Sequence, residues 1–303
     1  MKWQSTINWG ADNPRARGAI IGGLDPDRSA IGVHAGNYAP YRALSIANGE
    51  LSGSHIPDFS NTQPIVDIGP FGEWSDPAKI VTFDPWGHRV AQDFRSDIAF
   101  GRKLRPTIAV TNGNLKIAEI SQAAGESKLR RDGKILLHNL DIAVTKISID
   151  PVWYLPGIAA RFGVDEMTLR TALVEQSGGM YPDLIARPDL KVFLPPIGGT
   201  SVYIFGDPAR LKQAQPHITC RMHDECNGSD VFGSDLCTCR PYLMQGIEQC
   251  VRGAQAGGVG IIVYNRKEGR SLGEVVKYLV YNARKRSACG DRKEDYFLHT
   301  SDF

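Results

Sequence analysis

Three cysteines, Cys226, Cys237 and Cys239, fall within the polar stretch HDECNGSDVFGSDLCTCRP. Thiolate is a soft, charged donor that suits zinc, which usually takes four ligands. A structural site closes all four positions with protein, whereas a catalytic one supplies three and leaves the last open. The C-x10-C-x-C spacing lacks the paired C-x2-C knuckles of zinc fingers. His223 could close the site as Cys3His. Spacing alone leaves three readings standing: an open catalytic zinc, a closed structural one, and buried thiols. Cys220, Cys250 and Cys289 read as ordinary core or surface cysteines.

The flanking residues add proton-transfer groups and charge. Arg221, Met222, His223, Asp224 and Glu225 lead directly into Cys226. Downstream, NRKEGRSLG (265–273) brings Arg266, Lys267, Glu268 and Arg270 to the end of a short apolar run. In open α/β sheets, ligands bind at the carboxyl ends of strands. Arg and Lys there could clamp phosphate, and Glu268 could accept base N–H groups. The plainer alternative is a solvated charged loop.

The elements that must position these groups are partly marked. TSVYIFGD (200–207) and VGIIVYNR (259–266) read as strands, and PYLMQGIEQCVRGAQAGG (241–258) as a helix ending at Gly257. SLGEVVKYLVYNARKR (271–286) has helical periodicity in Leu272, Val275, Val276, Leu279 and Val280. Earlier, Asp165 can N-cap EMTLRTALVEQ, with Met167, Leu169, Ala172 and Leu173 on one face. KILLHNLDIAVTKI (134–147) reads as strand by its alternation. Pro195-Pro196 and Gly198-Gly199 break the chain between them. The fold class expected is α/β or α+β with a mixed sheet. The boundary near 190 gives an N-terminal domain, 1–190, and a catalytic domain, 191–303.

Composition narrows the classes. A hydrophobic content of 42% with 22% charged residues is globular, and a net charge of +2 argues against a general nucleic-acid or membrane partner. No run approaches the ~18 apolar residues of a membrane span. The start, MKWQSTINWGADNPRARG, has no apolar signal core, so a cytoplasmic protein is expected. The basic segment 282–293 reads as a solvated helix end.

R-M-H-D-E-C (221–226), C-T-C (237–239), Y-N-R-K-E-G-R (264–270) and Tyr281 together resemble GTP cyclohydrolase II. That family shows R-V-H-S-E-C, ten residues, C-D-C, then Y-H-R-Q-E-G-R and a Tyr eleven residues on. The resemblance covers roughly residues 190–300. It implies a GTP cyclohydrolase II-like fold, with Cys226, Cys237 and Cys239 as ligands of one zinc per chain. It implies a nucleotide site lined by Arg221, Met222, His223, Asp224, Glu225, Glu268, Gly269 and Arg270. Tyr281, with Glu225 and His223, would act in ring opening. A homodimer is also implied, as is magnesium if the substrate is a triphosphate.

The departures steer the substrate. Where the family has a Gly after C-x-C and a guanine-reading Gln, this chain has Arg240 and Tyr242. An amide offers a donor and an acceptor to guanine, whereas a phenol offers one hydroxyl and a stacking face. The family's later Asp-x-Arg element, tied to pyrophosphate release, has no convincing counterpart before Phe303. The chain is then either part of a longer protein or lacks that half of the chemistry. About 190 residues precede the resemblance, and 23–44, 81–92 and 150–166 resemble long-form GTP cyclohydrolase II-like proteins of uracil catabolism. That implies hydrolytic opening of UMP, with GTP the alternative substrate and an inactive nucleotide-binding protein the alternative of another class. His34, Asn37, Tyr38, Tyr41 and Arg42 form a polar, aromatic cluster that could reach a nucleotide, whereas His88 could equally be a core histidine.

Overall fold

The computed structural model describes residues 79–285, apart from 102, 103, 105 and 270–272, together with a few isolated earlier positions. The cluster at 34–42 and most of the basic segment 282–293 lie outside the described residues. Two short helices come first, α1 (Val90–Asp93) and α2 (Arg95–Ala99), followed by β1 (Ile108–Leu115), α3 (Ala118–Gly125) and β2 (Ile142–Ile149). Next are β3 (Trp153–Tyr154), α4 (Leu155–Phe162), α5 (Glu166–Gln176), α6 (Asp183–Ala186) and β4 (Val192–Phe193). The last third holds β5 (Thr200–Phe205), β6 (Ile218–Asp224), α7 (Asn227–Asp230), α8 (Cys239–Gln255), β7 (Val259–Asn265) and α9 (Glu274–Lys285). Trp153–Pro196 forms part of one compact unit, with the isolated positions before residue 62; the described residues from Lys79 to Val152 and from Ile197 onward belong to another.

The larger unit is built on a five-stranded mixed sheet in the order β1-β2-β5-β7-β6. All its pairings are antiparallel except β6 with β7, which is parallel. A parallel neighbour needs a crossover, and α8 supplies it. Its apolar residues Leu243, Ile247, Cys250, Val251 and Ala254 recur every three or four positions and are buried. They pack with Ile120 and Ala123 of α3 and with Val144, Phe205 and Ile262 on one face of the sheet. The opposite face buries Ile108, Val110, Ile147, Ile204 and Val259. The strands thus send alternate residues to two cores, as the pleat requires. Truncating Phe205, which is fully buried, would cost about 3–5 kcal/mol.

The sheet takes β1 and β2 from before residue 190 and the other three strands from after it. The 134–147 stretch is a strand only from Ile142. Before it, Asp132 accepts the N–H groups of Lys134, Ile135 and Leu136, and Leu140 turns at φ +69°. An aspartate that caps three consecutive amides stabilises a turn in place of a ladder.

In the other unit, Asp165 caps α5 by accepting from Met167 and Thr168, as the sequence suggests. The buried residue on that helix is Arg170, however, while Met167 and Ala172 are exposed. The Arg170 guanidinium pairs with Glu166 and donates to the carbonyls of Leu184 and Leu190. It ties α5 to the chain that follows it.

Candidate metal centre and nucleotide site

The parallel register places His223 beside Tyr264 and Asp224 beside Asn265. The R-M-H-D-E-C and Y-N-R-K-E-G-R segments therefore leave neighbouring strands at the same edge of the sheet. The Glu225 N–H donates to the Asn265 carbonyl, extending the pairing one residue further. Cys226 follows at the start of α7, while Cys237 and Cys239 stand at the N-terminus of α8. A helix N-terminus favours thiolate over thiol.

The three sulfurs lie within 4.8 Å of one another, with Cys226 Sγ and Cys237 Sγ 3.2 Å apart. Tetrahedral zinc–sulfur bonds of ~2.3 Å set sulfurs about 3.8 Å apart, within this spread. The thiols crowd one another electrostatically. Burial and the two adjacent sulfurs push Cys239 up to about 12; burial also raises Cys226, while Cys237 is lowered by hydrogen bonds that outweigh its burial. A divalent cation resolves that crowding, so the donor set fits zinc.

Among the described residues, no fourth His, Cys, Asp or Glu joins this group. His223 does not close a Cys3His site. It is 5% exposed and its Nε2–H donates to Asp230, 3.0 Å away. Asp230 also accepts from the Cys226 N–H at 3.0 Å and from the Tyr264 hydroxyl at 2.8 Å. Burial works against ionisation of Asp230, but these donors prevail and hold it below the usual carboxylate range. Tyr264 stacks on His223 at 5.3 Å, and burial together with Asp230 keeps its phenol protonated. His223, Asp230 and Tyr264 thereby brace the loop that carries Cys226.

The other sequence-predicted residues fall into two groups. Glu225, Glu268 and Gly269 gather around Cys226. Burial, then the charge of Glu268, raises the pKa of Glu225. Glu268 accepts from the Asn227 N–H at 2.6 Å through one oxygen, and from Lys277 at 2.5 Å and the Gly269 N–H through the other. Gly269 sits at φ +71°, and any side chain there would strike the Gly273 carbonyl. Tyr281 lies half-buried on α9, edge-on to Tyr278, with Lys277 Nζ 5.8 Å from its ring. Asp224 accepts from the Asn265 amide. Arg270 lies outside the described residues.

Arg221, Met222 and Tyr242 form the second group. They line a cleft of about 430 Å³ between β6 and α8, together with Gln245 and Gly246. The Arg221 side chain crosses α8 where Gly246 leaves room for it.

Arg240, which replaces the family's Gly, belongs to neither group. Its guanidinium makes a two-pronged contact with Glu119 on α3, at 2.7 and 3.1 Å, and donates to the Asp230 carbonyl. Its N–H donates to Ser229 Oγ. Residues that sequence reasoning passed over therefore hold the site together: Asp230, Tyr264, Glu119 and Lys277. Tyr264, at the head of the Y-N-R-K-E-G-R segment, and Asp230, four residues after Cys226, carried a local signal, whereas Glu119 and Lys277 did not.

A family profile described as GTP cyclohydrolase N terminal matches residues 2–176, and one described as GTP cyclohydrolase II matches 199–294. The chain belongs to the GTP cyclohydrolase II family. It is 53% identical to Uracil-regulated protein 1 of Schizosaccharomyces pombe, over 98% of this chain and 68% of that one. It is 48% identical to the Lachancea kluyveri protein named "Putative GTP cyclohydrolase URC1", over 97% of this chain and 67% of that protein. GTP cyclohydrolase-2 of Neisseria gonorrhoeae shares 42% identity over 65 residues, 22% of this chain and 31% of its own. The protein is a cyclohydrolase, with a nucleotide as substrate. No described helix is long and apolar enough to cross a membrane.

Proposed function

We propose that this cyclohydrolase binds one zinc at Cys226, Cys237 and Cys239 and hydrolytically opens the base ring of UMP. The observation that supports the chemistry is the group of three sulfurs within 4.8 Å, with no fourth protein donor among the described residues. Zinc held there supplies Lewis acidity that activates water at neutral pH.

The protein's own groups do the rest. Glu225, next to Cys226 at the strand end, moves a proton to or from the ring. Glu268 keeps a lone pair free on the oxygen that accepts from Asn227 and takes a ring N–H with it. Tyr281 orients the opening ring. Arg221 anchors the phosphate and Tyr242 offers a stacking face, with Met222 lining the cleft between them. Asp224 and Gly269 shape the strand-end side, and Arg270 is a second phosphate contact. His223 acts through Asp230 as a positioning residue.

The choice of UMP draws on the similarity to Uracil-regulated protein 1, which spans 98% of this chain and 68% of that protein, and on Tyr242, where the family has a guanine-reading Gln. GTP is the second reading, favoured by the name of the Lachancea relative, and would bring magnesium on its phosphates. We assign the protein to the reducing cytoplasm as a homodimer, with the functional division near residue 190. Zinc-loaded protein should consume the ultraviolet absorbance of UMP without releasing formate. Formate release from GTP with UMP untouched would establish the second reading, and no turnover of either would refute both.

A further inference from the structure

Lys277 lies within the apolar stripe of α9, three residues before the fully buried Val280, and is only 6% exposed. A lysine buried this deeply is destabilising unless its charge is paired. Its ammonium has three N–H donors and no acceptor. Nζ lies 3.1 Å from Cys226 Sγ and 2.5 Å from Glu268 Oε1. The rings of Tyr278 and Tyr281 face it at 5.3 and 5.8 Å.

The identity of these partners is what matters. A lysine with only a structural task can be satisfied by main-chain carbonyls. Here the donors reach a metal ligand and a carboxylate of the nucleotide site, and the neighbouring ring is that of Tyr281. Three thiolates around a divalent zinc leave a net negative centre, and an N–H···S bond to one of them draws density from that sulfur.

We propose that Lys277 is a positioning residue that ties Cys226 to Glu268, drawing charge from the metal's sulfur while fixing the carboxylate that meets the base. This rests on the reading of Cys226 as a zinc ligand.

The test compares full-length wild-type protein with Lys277→Met, each loaded with cobalt or zinc. Loss of the N–H···S bond should move the sulfur-to-cobalt charge-transfer band to lower energy. A chelator should strip zinc about tenfold faster from the variant. Coincident spectra and equal stripping rates would overturn the role of Lys277 alone. Wild-type protein that takes up no cobalt at its thiols would instead overturn the metal reading. A second measurement needs no substitution: with isotope-labelled lysine and spin-active cadmium, one slowly exchanging ammonium should couple to the metal across the sulfur. If every lysine ammonium exchanges freely and ignores the metal, the proposal fails.

Discussion

Among the described residues, two cations are buried in opposite ways. Arg170, 1% exposed, pairs with Glu166 and fills its remaining donors with the carbonyls of Leu184 and Leu190. Lys277 instead meets a thiol and a carboxylate that belong to the candidate site. Burial of a charge is thus no mark of function by itself. The partners decide: main-chain carbonyls stitch a fold, whereas a sulfur of the candidate metal centre and a carboxylate of the candidate site link a cation to the proposed chemistry.

The contrast predicts that damage stays on its own side. The largest effect is expected from Cys237→Ser, which should abolish zinc binding and turnover together, by metal analysis and assay. The unfolding transition of the unit that contains Arg170 should not change. Retained turnover would break the distinction from the site's end. Arg170→Met should do the reverse, destabilising its unit by about 3 kcal/mol in urea because two carbonyls lose their donor and Glu166 keeps only Lys191. Zinc stoichiometry should stay at the wild-type value. Loss of zinc in that variant would mean that the two cations are coupled.

A smaller effect sharpens the comparison with an intermediate case. Arg240 is a half-buried cation with one carbonyl partner and one carboxylate partner. Its hydrogen bond holds Glu119 below the ordinary value of 4.5, against a smaller opposing effect of burial. A depressed carboxylate pKa contributes stability that is fully present above that value and is lost as pH falls through the folded-state pKa. Glu119→Gln should therefore cost about 0.5 kcal/mol at neutral pH, since the pair is partly solvent-screened. That difference should shrink as pH falls below 4.5 and vanish once pH is below the lowered folded-state pKa. A cost unchanged by pH would assign Glu119 a packing role.

Legibility in the sequence followed the range of the interactions. The helix over Cys239–Gln255 and the strand Val259–Asn265 were readable because their periodicity or apolar run is local. Strand β6 was not, because it is an edge strand whose residues Ile218, Cys220 and Met222 are exposed. The cysteine cluster stood out by its spacing, which alone left an open zinc, a closed zinc and buried thiols all standing. Its supports did not stand out: Lys277 sits 51 residues from Cys226, and Arg240 lies 121 from Glu119. A lysine in an apolar stripe reads as an interruption until the fold brings its partners to it. His223 misleads for the mirror reason, since its place beside the cysteines in sequence suggests a ligand while its ring is turned to Asp230.

The central claim is that three cysteines hold the metal and that no histidine completes the set. X-ray absorption at the zinc edge of the full-length protein tests it most directly. Three sulfur neighbours at about 2.3 Å, with no imidazole scattering, are the predicted result. A histidine signal or a fourth sulfur would contradict it.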